Sequence, residues 1–115
     1  MEKNVKMSML CQIYGGLLTE KQYNLLNDYY NNDLSLSEIA ENENITRQAV
    51  RDNLKKGENK LIFYEESLKF MEKTLKQEEK IVCILSELTK IQTKFSDKEI
   101  AQILEKVRHE LSCLV

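Results

Sequence analysis

The chain has no proline, no tryptophan, three glycines and one histidine. Without proline nothing forces a helix to break internally, and with so few glycines any left-handed turn must fall to another residue type. Strand signals are missing too, because no stretch sustains the alternation of β-branched and polar residues that a half-buried strand requires. With 31% charged and 42% hydrophobic residues, the 115-residue chain can bury a useful core and reads as all-α, with five or six helices on short connections.

Cysteine is scarce and poorly spaced for chemistry. Cys11, Cys83 and Cys113 form no CxxC pair, and His109 has only Cys113 near it in sequence, at i+4. Zinc sites draw four ligands from close local pairs, so the expectation is free thiols in buried or semi-buried positions, with no metal and no cofactor. No serine or cysteine has a histidine placed to activate it, no glycine-rich loop offers itself to phosphate, and the acids are scattered along helix faces. No catalytic residue is therefore expected. Met1 to Lys6 alternates charge with polarity and leads into no apolar run of signal-peptide or membrane-span length. A cytoplasmic location without membrane insertion follows as an expectation.

What the chain does have is helical periodicity. Val5, Met9, Ile13 and Leu17 recur every fourth residue, the stripe of an amphipathic helix that Gly15-Gly16 would end. Thr19-Glu20-Lys21-Gln22 is a capping box opening a second helix, with Tyr23, Leu26 and Tyr30 on one side and Leu25 and Tyr29 beside them. Asn31-Asn32-Asp33 stops it, and Ser35-Leu36-Ser37-Glu38 opens a third helix in the same way. Late in the chain Ile81, Ile84, Leu85, Leu88 and Ile91 mark one further helix. A third box, Ser96-Asp97-Lys98-Glu99, precedes another through Ile100, Ile103, Leu104, Val107 and Leu111. The five tyrosines share faces with leucines and read as packing residues.

Residues 38–56, EIAENENITRQAVRDNLKK, read as two short helices meeting at a tight corner, within a helix-turn-helix at 35–56. Ala40 allows close approach, Asn44 suits a left-handed corner, and Thr46 caps the second helix. Leu36, Ile39, Ile45, Val50 and Leu54 supply the core between them. Arg47, Gln48, Arg51 and Lys55 then lie on the side opposite Val50 and Leu54. Arginine binds guanine bidentately, glutamine reads adenine and lysine suits phosphate, while a capping Thr46 can also bond a phosphate. These five are the expected DNA-binding residues. Charge argues both ways. The net charge is −2, and from Glu20 to Asn44 the acids Glu20, Asp28, Asp33, Glu38, Glu41 and Glu43 oppose Lys21 alone. From Ile45 to Lys60 Arg47, Arg51, Lys55, Lys56 and Lys60 outweigh Asp52 and Glu58. A local positive patch on an acidic protein can meet phosphates but lacks long-range attraction, and solvated helix charges are the plainer explanation.

Val50, Leu54, Gly57, Leu61, Tyr64, Leu68, Met71 and Leu75 are spaced alternately by 4 and 3, a heptad seam interrupted only by Gly57. The spacing predicts one long helix running from the corner towards residue 75, with Gly57 as a bend or local end. Two domains follow. Residues 1–60 are expected to form a helix-turn-helix domain of winged-helix-like, DNA-binding type, and residues 61–115 a helical extension that makes a homodimer.

LSLSEIAENENITRQAVRDNLKKGENKL, residues 34–61, follows the pattern of the carboxy-terminal helix-turn-helix region of bacterial sigma factors: leucine, Ile-Ala, turn, capping Thr-Arg, then valine and leucine four apart. The whole length, including LLTEKQYNLLNDYYNNDLSLSEIAE, resembles the small YlxM-type family of Gram-positive bacteria. The match is tightest from Leu17 to Asn53, and beyond Tyr64 it rests on helical character and length. The chain has no room for the promoter-melting domain of a sigma factor, so a regulatory role is expected. The family's genes typically lie beside that of the signal-recognition-particle GTPase. The resemblance therefore implies a helix-turn-helix regulator of the signal recognition particle pathway, with double-stranded DNA as partner. The alternative is an accessory factor that binds the particle's RNA or protein, and a third reading is a structural homodimer with a vestigial motif.

Overall fold

The structure, a computed structural model, describes residues 1–94 and 97–114. Its helices are α1 (Lys3–Tyr14), α2 (Glu20–Tyr30), α3 (Leu36–Glu43), α4 (Arg47–Leu68), α5 (Phe70–Lys94) and α6 (Lys98–Ser112), with a 3-10 turn at Gly15–Leu17. The fold is all-α, and no strand, hence no β-wing, accompanies the helix-turn-helix among the described residues. Two compact units divide the chain, Met1–Met71 and Glu72–Val115. Residue 60, the boundary expected from the sequence, lies within α4.

In the first unit α4 packs against α1, α2 and α3. Its inward face is Val50, Leu54, Gly57 and Leu61. These meet Leu25 and Leu26 of α2, Ile39 and Ala40 of α3, and Met7, Leu10, Cys11 and Tyr14 of α1 in one core. Each fully buried aliphatic side chain stabilises the fold by roughly 1.5–3 kcal/mol. The register of α1 differs from expectation: Val5 and Leu17 are exposed, and the buried set is Met7, Leu10, Cys11 and Tyr14. Spacing of 3, 1 and 3 keeps these on one helix face, whereas strict steps of four drift around it. The capping boxes at Thr19/Gln22 and Ser35/Glu38 are both formed. At the third, Ser96 lies outside the described residues, and Asp97 caps α6 by accepting the Glu99 N–H at 2.8 Å.

Gly57 neither bends nor ends α4. It is buried in mid-helix, and a Cβ there would lie 2.8 Å from Leu26 Cδ1. Leu26 is itself fully buried and has nowhere to retreat. The glycine sits where two helices come too close for any side chain.

The long helix expected from the heptad seam breaks at Lys69, not at Gly57. Lys69 adopts φ 57° and ψ 30°, the left-handed conformation, at an expense of roughly 1–2 kcal/mol for a residue with a Cβ. The break is held from outside the segment. Tyr14 Oη donates to Glu65 Oε1 at 2.6 Å and accepts the Phe70 N–H at 3.1 Å, while Glu65 Oε1 also accepts the Met71 N–H at 2.9 Å. Phe70 and Met71 supply the first free N–H groups of α5, so a tyrosine and a carboxylate together cap that helix. The Tyr14 ring also stacks on Phe70 at 6.2 Å.

The second unit holds most of α5 and all of α6. Arg108 links them, donating to Gln92 Oε1 at 3.1 Å and to Thr89 Oγ1. Of its large apolar residues Ile81 and Leu104 are buried, while Val82, Ile84, Ile91, Ile100, Ile103, Val107 and Leu114 are exposed. Cys11 is buried as a core residue, but Cys83 and Cys113 are exposed, contrary to the expectation of buried or semi-buried thiols. Cys83 lies on an outward position of α5, and Cys113 is the capping residue that ends α6.

Two outcomes follow from this packing. Gly57→Val should lower stability by roughly 2–3 kcal/mol through overpacking, and Gly57→Ala by less, since alanine regains about 1 kcal/mol of helix propensity. Chemical denaturation measures both, and an unchanged Gly57→Val would place α2 and α4 further apart. The second outcome concerns alkali. Burial first, then the bond to Glu65, raises the Tyr14 pKa; burial and then Glu58 raise that of Tyr30. A raised folded pKa means that the stability these hydroxyls contribute is complete below the ordinary tyrosine value near 10 and is lost as pH rises through the folded values. Ultraviolet titration of tyrosinate should show two groups ionising late, at a pH where the fold loosens, and Tyr14→Phe should remove one of them.

Candidate nucleic-acid interface

The corner is built as its residues require. Asn44 takes φ 55° and ψ 44° at the end of α3. Its N–H reaches the Glu41 carbonyl at 3.3 Å, and the Ile45 N–H reaches the Ala40 carbonyl at 3.0 Å. That pair of bonds is the Schellman ending, which needs a left-handed residue where glycine is commonest and asparagine serves. Thr46 follows in extended conformation, its side chain accepting the Ala49 N–H at 3.1 Å. Ala40, buried at the crossing, lets α3 and α4 approach. Ile39, Val50 and Leu54 are buried behind them, with Leu36 and Ile45 half-buried at the edge.

The expected site residues fall on one outward surface. Thr46, Arg47, Gln48, Arg51 and Lys55 are all exposed. Arg47, Gln48 and Arg51 line a shallow cleft against Leu36. Arg47, Arg51 and Lys55 stand at i, i+4 and i+8, so they span about 12 Å along the helix axis. No ion pair engages these three among the described residues. Gln48 is less free, because its Nε2 donates to Asp52 Oδ1 at 3.0 Å one turn on. A glutamine so held can still turn its amide outward, but the neighbouring carboxylate opposes an approaching phosphate.

A second cleft continues the surface beyond Arg51, and it brings in residues that the sequence did not mark. Arg51 and Lys55 line it together with Lys3 of α1, Tyr29 and Tyr30 of α2, Leu36, Leu54, Glu58 and Asn59. Glu58 accepts a hydrogen bond from the Tyr30 hydroxyl and has Lys3 Nζ at 4.0 Å. Lys3 is nearly 50 residues from Arg51 in sequence, and nothing local signals that the two share a cleft. Among the described residues no group of histidines, cysteines and acids is arranged to hold a metal ion. No helix there is long and apolar enough to cross a membrane.

Comparison with known proteins agrees with this geometry. The family described as "Putative helix-turn-helix protein, YlxM / p13 like" matches residues 1–107. A UPF0122 protein of Clostridium acetobutylicum is 39% identical over 112 residues, covering 97% of each chain. One from Clostridium kluyveri is 43% identical over 109 residues, 95% of each chain. One from Acetivibrio thermocellus is 39% identical over 115 residues, covering all of this chain and 98% of its own.

Proposed function

Because this chain belongs to the YlxM/p13-like family of helix-turn-helix proteins, we propose that it is a non-catalytic regulator that binds double-stranded DNA through α4. The observation that carries this reading is the outward face of the capped helix. Arg47, Arg51 and Lys55 are exposed on it at helical spacing, with no ion pair among the described residues to occupy them. In this reading Arg47, Gln48 and Arg51 meet base edges, while Thr46 and Lys55 meet phosphates. The regulation serves the signal recognition particle pathway, as the resemblance to YlxM-type proteins implies. The acidic flank of the unit favours a second reading, an accessory factor that binds the particle's RNA or protein. Recovery of the tagged protein with the particle's components and without DNA would put that reading first.

A homodimer belongs to the same proposal. Among its described residues the second unit buries just Ile81 and Leu104 while exposing Val82, Ile84, Ile91, Ile100, Ile103, Val107 and Leu114, whereas the first unit, which also exposes Val5, Leu17 and Phe63, buries a continuous core. Exposed apolar surface of that extent is uncommon on soluble monomers, and a second copy is the cover that also brings a second recognition helix. A module with net charge −2 gains most from such pairing, since its own attraction to DNA is short-ranged.

Arg47→Ala and Arg51→Ala should each weaken duplex binding by roughly 1–3 kcal/mol, with affinity falling steeply as salt rises. Gel retardation of genomic fragments tests this, and no retention of any duplex at low salt would overturn the DNA reading. Sedimentation equilibrium tests the pairing. Wild type should be a dimer at micromolar concentration and Ile103→Asp a folded monomer, since Ile103 is 60% exposed and can accept a charge. A monomeric wild type removes the dimer from the proposal.

A further inference from the structure

We infer that the cleft between α1, α2 and the later turns of α4 is a clamp for the DNA phosphate backbone, in which Lys3 and Tyr29 hold a phosphate beside Lys55. The inference rests on the DNA-binding reading and extends it to two helices outside the helix-turn-helix.

The base-reading cleft at Leu36, Arg47, Gln48 and Arg51 and the second cleft share Leu36 and Arg51, so the two form one continuous surface along α4. From Arg47 to Lys55 that surface runs about 12 Å, close to the width of the major groove. A helix whose first turns reach base edges therefore carries Lys55 to the groove's wall, where the phosphates are. Lys3, Arg51 and Lys55 converge there against one carboxylate, Glu58. The carboxylate is drawn inward: its side chain is 17% exposed, against 69% for Lys3, and the Tyr30 hydroxyl donates to it. Burial and the Glu58 bond raise the Tyr30 pKa, so that donor stays protonated at every physiological pH. What the cleft turns outward is thus positive. The Tyr29 hydroxyl makes no hydrogen bond among the described residues, while its ring is fixed edge-on against Tyr30 at 4.9 Å. A hydroxyl without a partner among the described residues and two ammonium groups lining one cleft suit a phosphate oxygen, and they carry no base preference.

The test is fluorescence anisotropy of the full chain on mixed-sequence duplexes across a range of sodium chloride. Lys3→Ala should weaken binding several-fold and equally on every duplex, and should lower the salt slope by about one. Lys3→Arg should restore both. Tyr29→Phe should weaken binding roughly two- to ten-fold, the loss of one hydrogen bond, with the slope unchanged. Lys21→Ala, in a cleft that also contains Glu20, Asn24 and Glu43, should leave affinity and slope as they are. Thermal melts of each variant establish that the fold persists. If wild type binds and Lys3→Ala behaves as Lys21→Ala does, the clamp is overturned while the DNA reading stands. If wild type retains no duplex, the DNA reading falls and the clamp with it.

Discussion

The contact between Gly57 and Leu26 sets the distance between α4 and α2, and the rest of the first unit is arranged around that distance. A Cβ at position 57 would come within 2.8 Å of Leu26 Cδ1. Its absence lets α4 sink far enough for Val50, Leu54 and Leu61 to reach the same core as Leu10, Leu25 and Ile39. Were α4 lifted even slightly, the core would carry voids along three helices at once, and close-packed interiors tolerate such voids badly. The proposed interface depends on the same contact, since the side of α4 opposite Arg47, Arg51 and Lys55 is held against the core. A glycine that weakens the helix locally therefore strengthens the position of the helix as a whole. The isolated helix loses about 1 kcal/mol, and the packed unit regains several times that in buried side chains.

The break at Lys69 shows a different balance. Local preference favours continuing the helix: lysine is a good helix former, and the heptad spacing through Leu68, Met71 and Leu75 runs on without interruption. Against it stand the three hydrogen bonds centred on Tyr14 and Glu65, and the stacking of Tyr14 on Phe70. Each bond contributes roughly 0.5–1.5 kcal/mol net, more where a carboxylate is the acceptor, which outweighs a left-handed lysine at about 1–2 kcal/mol. Tertiary partners thus decide where the helix ends. The same partners place Met71 in the core of the first unit.

How much of this could be read from the sequence follows from where the information lies. The corner was legible because its determinants are local: Asn44, Thr46 and the two complete capping boxes act within four residues of themselves. The outward placement of Arg47, Gln48, Arg51 and Lys55 follows from helical geometry alone once Thr46 is fixed as the cap. Gly57 was visible as an anomaly but not as a contact, because the atom it accommodates belongs to Leu26, in another helix. The α1 stripe was misread since Met7, Leu10, Cys11 and Tyr14 mix residue types, whereas Val5, Met9, Ile13 and Leu17 look uniformly apolar. A cap supplied to residue 70 by Tyr14 leaves no trace near residue 70. Lys3 was missed for the same reason.

Electrostatics separates what this surface could do from what it could not. With a net charge of −2 the protein cannot accumulate near nucleic acid by long-range attraction, which is screened beyond about 8 Å at physiological salt. Whatever affinity it has must come from contacts made at short range and in register. That favours a surface whose cations are fixed relative to one another, and α4 provides it: one capped helix, pinned from behind, with its charges one turn apart. It also disfavours indiscriminate coating of DNA, because a weak non-specific term leaves little to hold the protein where base contacts are wrong. The acidic residues of α2 and α3 restrict the proposed DNA role further, since they would repel phosphates that approach on their side.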